Sequence, residues 1–177
     1  SNLNKGKFPL EKSGDDVVIV AYARTPLGKA GRGSFKDTQP EILAKHAIKG
    51  VLDRSKVKYD DVEEIVMGNV LGPGCFNMKV RMSGFLAGLD EKTTFMSVNR
   101  LCSSGLQAVM NLAYSITNGQ VKCGIAGGVE SMSIVDMNGL VDISTIPEEI
   151  FEHEKAQNCI IPMGLTSENV AEKFGVG

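Results

Sequence analysis

The sequence predicts an α/β protein with a largely parallel sheet covered by helices, and three observations carry that prediction. Short apolar or β-branched runs at 16–23, 64–71, 93–98 and 122–128 have the length of strands. Segments of helical period separate them, the alternation expected of parallel strands joined by crossovers. The first run, DVVIVAYA at 16–23, is almost continuously apolar, as a strand covered on both faces must be.

Residues 1–15 read as a polar leader, and 16–23 as the first core strand. RTPLGKAGRGSF at 24–35 is glycine-rich and basic but lacks both GxxxxGK[ST] and a third glycine at dinucleotide spacing. It reads as a solvated turn rather than a phosphate cradle. Thr38-Gln39-Pro40-Glu41 is a capping-box pattern that opens a helix whose apolar face holds Ile42, Leu43, His46, Ala47, Ile48, Val51 and Leu52. His46 is expected to pack there without a catalytic role.

An acidic connection at 59–64 leads into the 64–71 strand, and Gly72-Pro73-Gly74 turns the chain. A helix over 77–88 should turn Val80, Met82, Phe85 and Leu86 inward, with Lys79 and Arg81 outside. Asn118-Gly119 stops the next helix, and the glycine-rich 122–128 strand runs into GGVESMS. Within it, Glu130 reads either as a general base or as a carboxylate bracing the turn through backbone N–H groups. Residues 131–159 have no sustained period and read as a cover loop. His153 lies among charges there and is expected to be solvated. A short helix from about 166 to 174 follows, closed by Gly175.

Composition excludes several classes. A net charge of −2 gives no electrostatic case for nucleic acid or an anionic membrane. No run reaches the roughly 18 apolar residues of a membrane span, and the first residues carry no signal-peptide core. Cys75, Cys102, Cys123 and Cys159 form no CxxC pair, which argues against zinc and a disulfide framework and for reduced thiols.

One cysteine occupies a special place. Residues 93–98 read as a strand, while Leu106, Val109, Met110, Ala113 and Tyr114 recur at helical spacing, so Cys102 sits at a strand-to-helix join. Unpaired N–H groups and the macrodipole at a helix start favour a thiolate. The same N–H groups could hold a developing oxyanion. Ser103, Ser104 and Gly105 leave the sulfur approachable. The competing reading is a buried core thiol.

SVNRLCSSGLQAV at 97–109 resembles the nucleophile segment of the thiolases, and GGVESMS at 127–133 resembles their glycine-rich signature. ARTPLG at 23–28 and IPMGLTSENVAEKFG at 161–175 are similar to flanking segments of the family, in the family's order. The wording is most like that of peroxisomal-type 3-ketoacyl-CoA thiolases.

This resemblance implies the N-terminal half of a thiolase fold: a mostly parallel five-stranded sheet covered by helices over 16–128, then the start of a loop region over 129–177. It implies an acyltransferase that cleaves 3-ketoacyl-CoA through an acyl-enzyme on Cys102, with Met163 lining the substrate site; the bland reading of Met163 is a gap-filling core methionine. Coenzyme A would be a substrate, with no permanently bound cofactor and no metal. A peroxisomal address is implied, with mitochondrial or cytoplasmic alternatives, and a homodimer formed beside the nucleophile segment. The family's activating histidine, second cysteine and oxyanion asparagine belong to a C-terminal half whose motifs do not occur here. The chain is therefore expected to be an incomplete piece with little turnover alone.

Other readings are a biosynthetic acetoacetyl-CoA thiolase or related condensing enzyme, and a non-catalytic interaction or lipid-carrier-linked module. A nucleotide-binding domain finds no phosphate motif. Acyl chain length and reaction direction are not legible in these residues.

Overall fold

The computed structural model describes residues 13–137 and 141–177, which form two compact units divided between Asp136 and Met137. The polar leader assigned to 1–15 lies, up to residue 12, outside the described residues.

In the first unit, α1 (Pro40–Ser55) opens on a proline, whose missing N–H costs nothing at that position. Its cap is Gln39, which makes no side-chain bond, so the Thr38 capping box does not form. Then come β1 (Glu64–Gly68), α2 (Asn77–Ala87), β2 (Thr94–Val98), α3 (Ser104–Thr117) and β3 (Gly124–Gly128). All pairings are parallel in the order β2-β1-β3, with Glu64 opposite Thr94 and Gly124, and Gly68 opposite Val98 and Gly128. The three strands therefore end together. The loops that leave Gly68, Val98 and Gly128 are gathered at one edge of the sheet.

β1 is the buried centre, and its period of two assigns each side chain to a layer. Ile65 and Met67 join Ile48 and Leu52 of α1 and Val80 and Ala87 of α2; Val66 joins Ala108 and Leu112 of α3. The unit is thus helix pair, sheet, helix. Ile65, Val66 and Val80 are fully buried, each contributing about 1.5–3 kcal/mol of transfer free energy.

The α/β class with a parallel, helix-covered sheet is as expected, but the described residues hold three strands where five were anticipated. Residues 16–23 pair with no strand among the described residues, and Val18, Ile19 and Val20 are 70%, 79% and 68% exposed. Tyr22 O accepts a hydrogen bond from Arg54 Nη1 of α1, at 2.7 Å. Apolar content marks a run that needs cover; a strand also needs a neighbour to pair with.

The helix faces also differ from expectation. α2 buries Val80, Ser83, Gly84 and Ala87, leaving Met82, Phe85 and Leu86 exposed. Gly84 decides this: a Cβ there would overlap Phe95 Cε1, so glycine lets the Phe95 ring of β2 press against the helix. α3 buries Ser104, Ala108 and Leu112 and exposes Leu106, Val109 and Tyr114. His46 is exposed on α1 rather than packed.

The second unit is less irregular than its sequence suggested. It holds α4 (Glu148–Glu152), α5 (Glu154–Gln157) and α6 (Met163–Phe174), the last beginning three residues before the expected start. Asp142 Oδ1 accepts from Ser144 N at 3.0 Å and Ser144 Oγ at 2.6 Å, closing a turn before α4. His153 Nδ1 accepts from Ala156 N at 3.3 Å and caps α5.

Candidate functional site

Cys102 stands where the sequence placed it, in the short loop between β2 and α3, and it is exposed. The loop is a tight turn held from within. Ser103 N and Ser104 N donate to the carbonyls of Arg100 and Leu101, at 3.1 and 3.0 Å. The buried Ser104 hydroxyl accepts from Arg100 N at 2.9 Å and donates to Leu101 O at 2.5 Å. Leu101, at φ +49°, is left-handed, a conformation that costs a non-glycine residue about 1–2 kcal/mol. Arg100 Nη1 donates to Gln107 Oε1, tying the turn to the first turn of α3.

The amides of Ser103 and Ser104 are spent on the turn and Gln107 N donates to Ser103 O at 2.9 Å, so the N–H groups at the start of α3 that remain are those of Gly105 and Leu106. They belong to a helix of 14 residues whose positive end faces the loop.

Gly68 brings the helix this close. A Cβ on Gly68 would lie 2.6 Å from Ser104 C and 2.7 Å from Gly105 N, so glycine at the end of β1 lets the start of α3 rest on the strand backbone.

A second network holds the loop after β1. Glu130 Oε2 accepts from Val70 N at 2.8 Å, its carboxylate also reaches Leu71 N at 3.4 Å, and Oε1 accepts from Asn69 Nδ2 at 3.0 Å. The buried Asn69 further donates to Val129 O at 2.7 Å and accepts from Gly72 N at 2.8 Å. Glu130 therefore braces backbone, as one of its two readings had it, but the backbone is that of the neighbouring 70–71 loop. Asn99 joins the networks: its Nδ2 donates to Val70 O at 3.1 Å and its Oδ1 accepts from Leu101 N at 2.9 Å.

Sequence reasoning missed Asn69, Asn99 and Ser104. An Asx turn at Asn99 was the one local signal available; the partners of Asn69 and Asn99 across the sheet edge are 29 to 61 residues away.

The other cysteines differ. Burial, then the charges of Asp61 and Glu63, push the Cys123 thiol up. Cys75 is half-buried in a left-handed turn, and the Cys159 thiol donates a hydrogen bond to Lys155 O at 3.4 Å. Met163 opens α6 in the second unit and is 66% exposed. A cleft of about 300 Å³ lies beside the 72–79 segment, walled in part by Asn69, Lys79, Glu130 and Ile134; Cys102 is not in its wall. Among the described residues, no group of three His, Cys, Asp or Glu side chains could hold a metal. No described helix is long and apolar enough to cross a membrane.

The family model for the thiolase N-terminal domain matches residues 17–177, and the chain belongs to the thiolase family. It is 47% identical over 169 residues to the peroxisomal 3-ketoacyl-CoA thiolase B of Rattus norvegicus, covering 96% of this chain and 39% of that one. It is 44% identical over 166 residues to the human peroxisomal 3-ketoacyl-CoA thiolase, covering 94% and 38%. Among solved structures, the dimeric peroxisomal thiolase of Saccharomyces cerevisiae superposes with a TM-score of 0.86 at 36% identity, over 94% of this chain and 44% of that one. The Bacillus anthracis acetyl-CoA acetyltransferase gives 0.72 at 28% identity, over 92% and 43%. The chain thus spans about two fifths of the length of the curated relatives it matches.

Proposed function

We propose that the full-length protein is a 3-ketoacyl-CoA thiolase of fatty acid β-oxidation, with Cys102 as its nucleophile. The supporting observation is an exposed thiol on a rigid turn before the positive end of α3, in a chain whose peroxisomal relatives are 44–47% identical. In the forward direction, the Cys102 thiolate attacks the 3-keto carbon of the substrate. The bond between C2 and C3 breaks, its electron pair is protonated at C2, and acetyl-CoA leaves. The thiol of a second coenzyme A then attacks the acyl-cysteine, releasing the shortened acyl-CoA and restoring Cys102.

Residues 129–177 are proposed as the start of a loop region that meets acyl-CoA, with Met163 among the contacts. The proton carriers and the rest of the oxyanion site are assigned to sequence beyond these residues, because His46 lies on the far side of the sheet from α3 and the Nδ1 of His153 caps α5. A homodimer and a peroxisomal location complete the proposal, in keeping with the peroxisomal rat relative and the dimeric peroxisomal yeast enzyme.

The test is thiolysis by the full-length protein. It should consume a 3-ketoacyl-CoA and coenzyme A, and Cys102→Ala should reduce turnover at least a thousandfold while the protein stays folded. Turnover that survives Cys102→Ala overturns the proposal. The likeness to an acetyl-CoA acetyltransferase supports a second reading, a biosynthetic enzyme restricted to acetoacetyl-CoA, which chain-length dependence of kcat/KM separates from the first.

A further inference from the structure

We propose that Asn99 is a positioning residue for Cys102, an inference that rests on Cys102 being the nucleophile. The Asn99 side chain is exposed, yet both ends of its amide are committed to backbone. Oδ1 holds the N–H of Leu101, and Nδ2 holds the carbonyl of Val70. Val70 is held at its other backbone group as well, since its N–H donates to the Glu130 carboxylate. A continuous line of hydrogen bonds thus runs from Glu130 through Val70 and Asn99 to Leu101, the residue before Cys102.

Leu101 is where such a restraint matters. Its left-handed backbone sets the direction in which the chain presents Cys102, and a leucine leaves that conformation readily unless something holds it. Ser104 fastens the turn to itself, through groups three and four residues away. Asn99 fastens the turn to a different loop, 29 residues away in sequence, and so fixes the thiol relative to the end of β1. Removing the amide leaves the fold its core and takes away the register of the thiol.

The experiment uses the full-length protein and three variants: Asn99→Ala, Asn99→Ala with Leu101→Gly, and Asn99→Ser. Alkylation of Cys102 by iodoacetamide is followed by peptide mass mapping across pH, beside kcat, KM and Tm. Asn99→Ala should slow alkylation and lower kcat about tenfold, the order set by the cost of an unsupported left-handed leucine, with KM and Tm nearly unchanged. Adding Leu101→Gly should restore most of the loss, because glycine adopts this conformation without a restraint. Unchanged alkylation, a loss that Leu101→Gly does not recover, or a loss that follows a fall in Tm overturns the proposal. If Asn99→Ala does not fold, Asn99→Ser decides: its hydroxyl can still accept from Leu101 N–H but loses the tie to Val70 O, so a smaller fall in alkylation rate and kcat is expected, and no fall in either overturns the proposal. Acetyl-CoA labelling of the unaltered protein separates the two levels: no acetyl group on Cys102 removes the catalytic reading, while the alkylation result still judges the role of Asn99.

Discussion

Replacing Gly68 by alanine tests the geometry on which the candidate site depends. The added methyl carbon would sit 2.6 Å from Ser104 C, and ordinary contact begins near 3.4 Å, so it is about 0.8 Å short of room. The obstructing atoms are backbone and cannot rotate away, so either α3 or the end of β1 must move by most of that distance. Overpacking of this kind costs about 1–3 kcal/mol. A displacement near 1 Å at a reacting group can cost about a hundredfold in rate. In the full-length protein, Gly68→Ala should therefore lower Tm by several degrees and slow both thiolysis and Cys102 alkylation by about two orders of magnitude. Gly127→Ala is the matched control, because its methyl would meet only the Met67 side chain, Sδ at 3.4 Å and Cε at 3.9 Å, and it should leave both rates within about twofold. Gly68→Ala with unaltered Tm and alkylation rate would refute the argument that this glycine sets the position of α3.

Three further outcomes are expected. Ile65→Ala empties a fully buried site at the centre of β1 and should destabilise the protein by about 2–5 kcal/mol in thermal or denaturant unfolding; a change below about 1 kcal/mol contradicts the assigned core. The raised Cys123 thiol should need more alkaline solution than an ordinary cysteine, so at neutral pH iodoacetamide should label Cys102 before Cys123, a sequence that peptide mapping reads directly. Hydrogen bonds from Ser144 hold the Asp142 carboxyl below its usual range. Its folded value being depressed, the turn's support is complete above the ordinary aspartate value of about 3.9 and is lost as pH falls through the lower folded value. Exchange of the Ser144 amide, corrected for intrinsic rate, should accelerate over that acid window; Asp142→Asn should remove the dependence.

The helices and paired strands were legible because their signals are local. Helical period located α1, α2 and α3, and β-branched or glycine-rich runs located β1, β2 and β3. The faces were less legible, since the sheet selects the small residues: Gly84 admits Phe95, and Ser104 and Ala108 let α3 approach β1. Leu106, Val109 and Tyr114 lie on the exposed side of that helix, so α3 is apolar beyond the face it buries. Residues 16–23 were misread for a related reason, since an apolar run states a need for cover without naming its neighbour. At the site, the Cys102 turn was visible in its own letters. Its attachment through Asn99 to Val70 and Glu130 was not, because those partners meet only when three parallel strands end at one edge.

Whether Cys102 carries the acyl group can be read from the protein itself. The most direct measurement is mass mapping of the folded full-length protein after brief exposure to acetyl-CoA. One acetyl group is expected on the peptide that contains Cys102, and none in Cys102→Ala. Acetylation of Cys159 in its place, or no acetyl group on a folded protein, would contradict it.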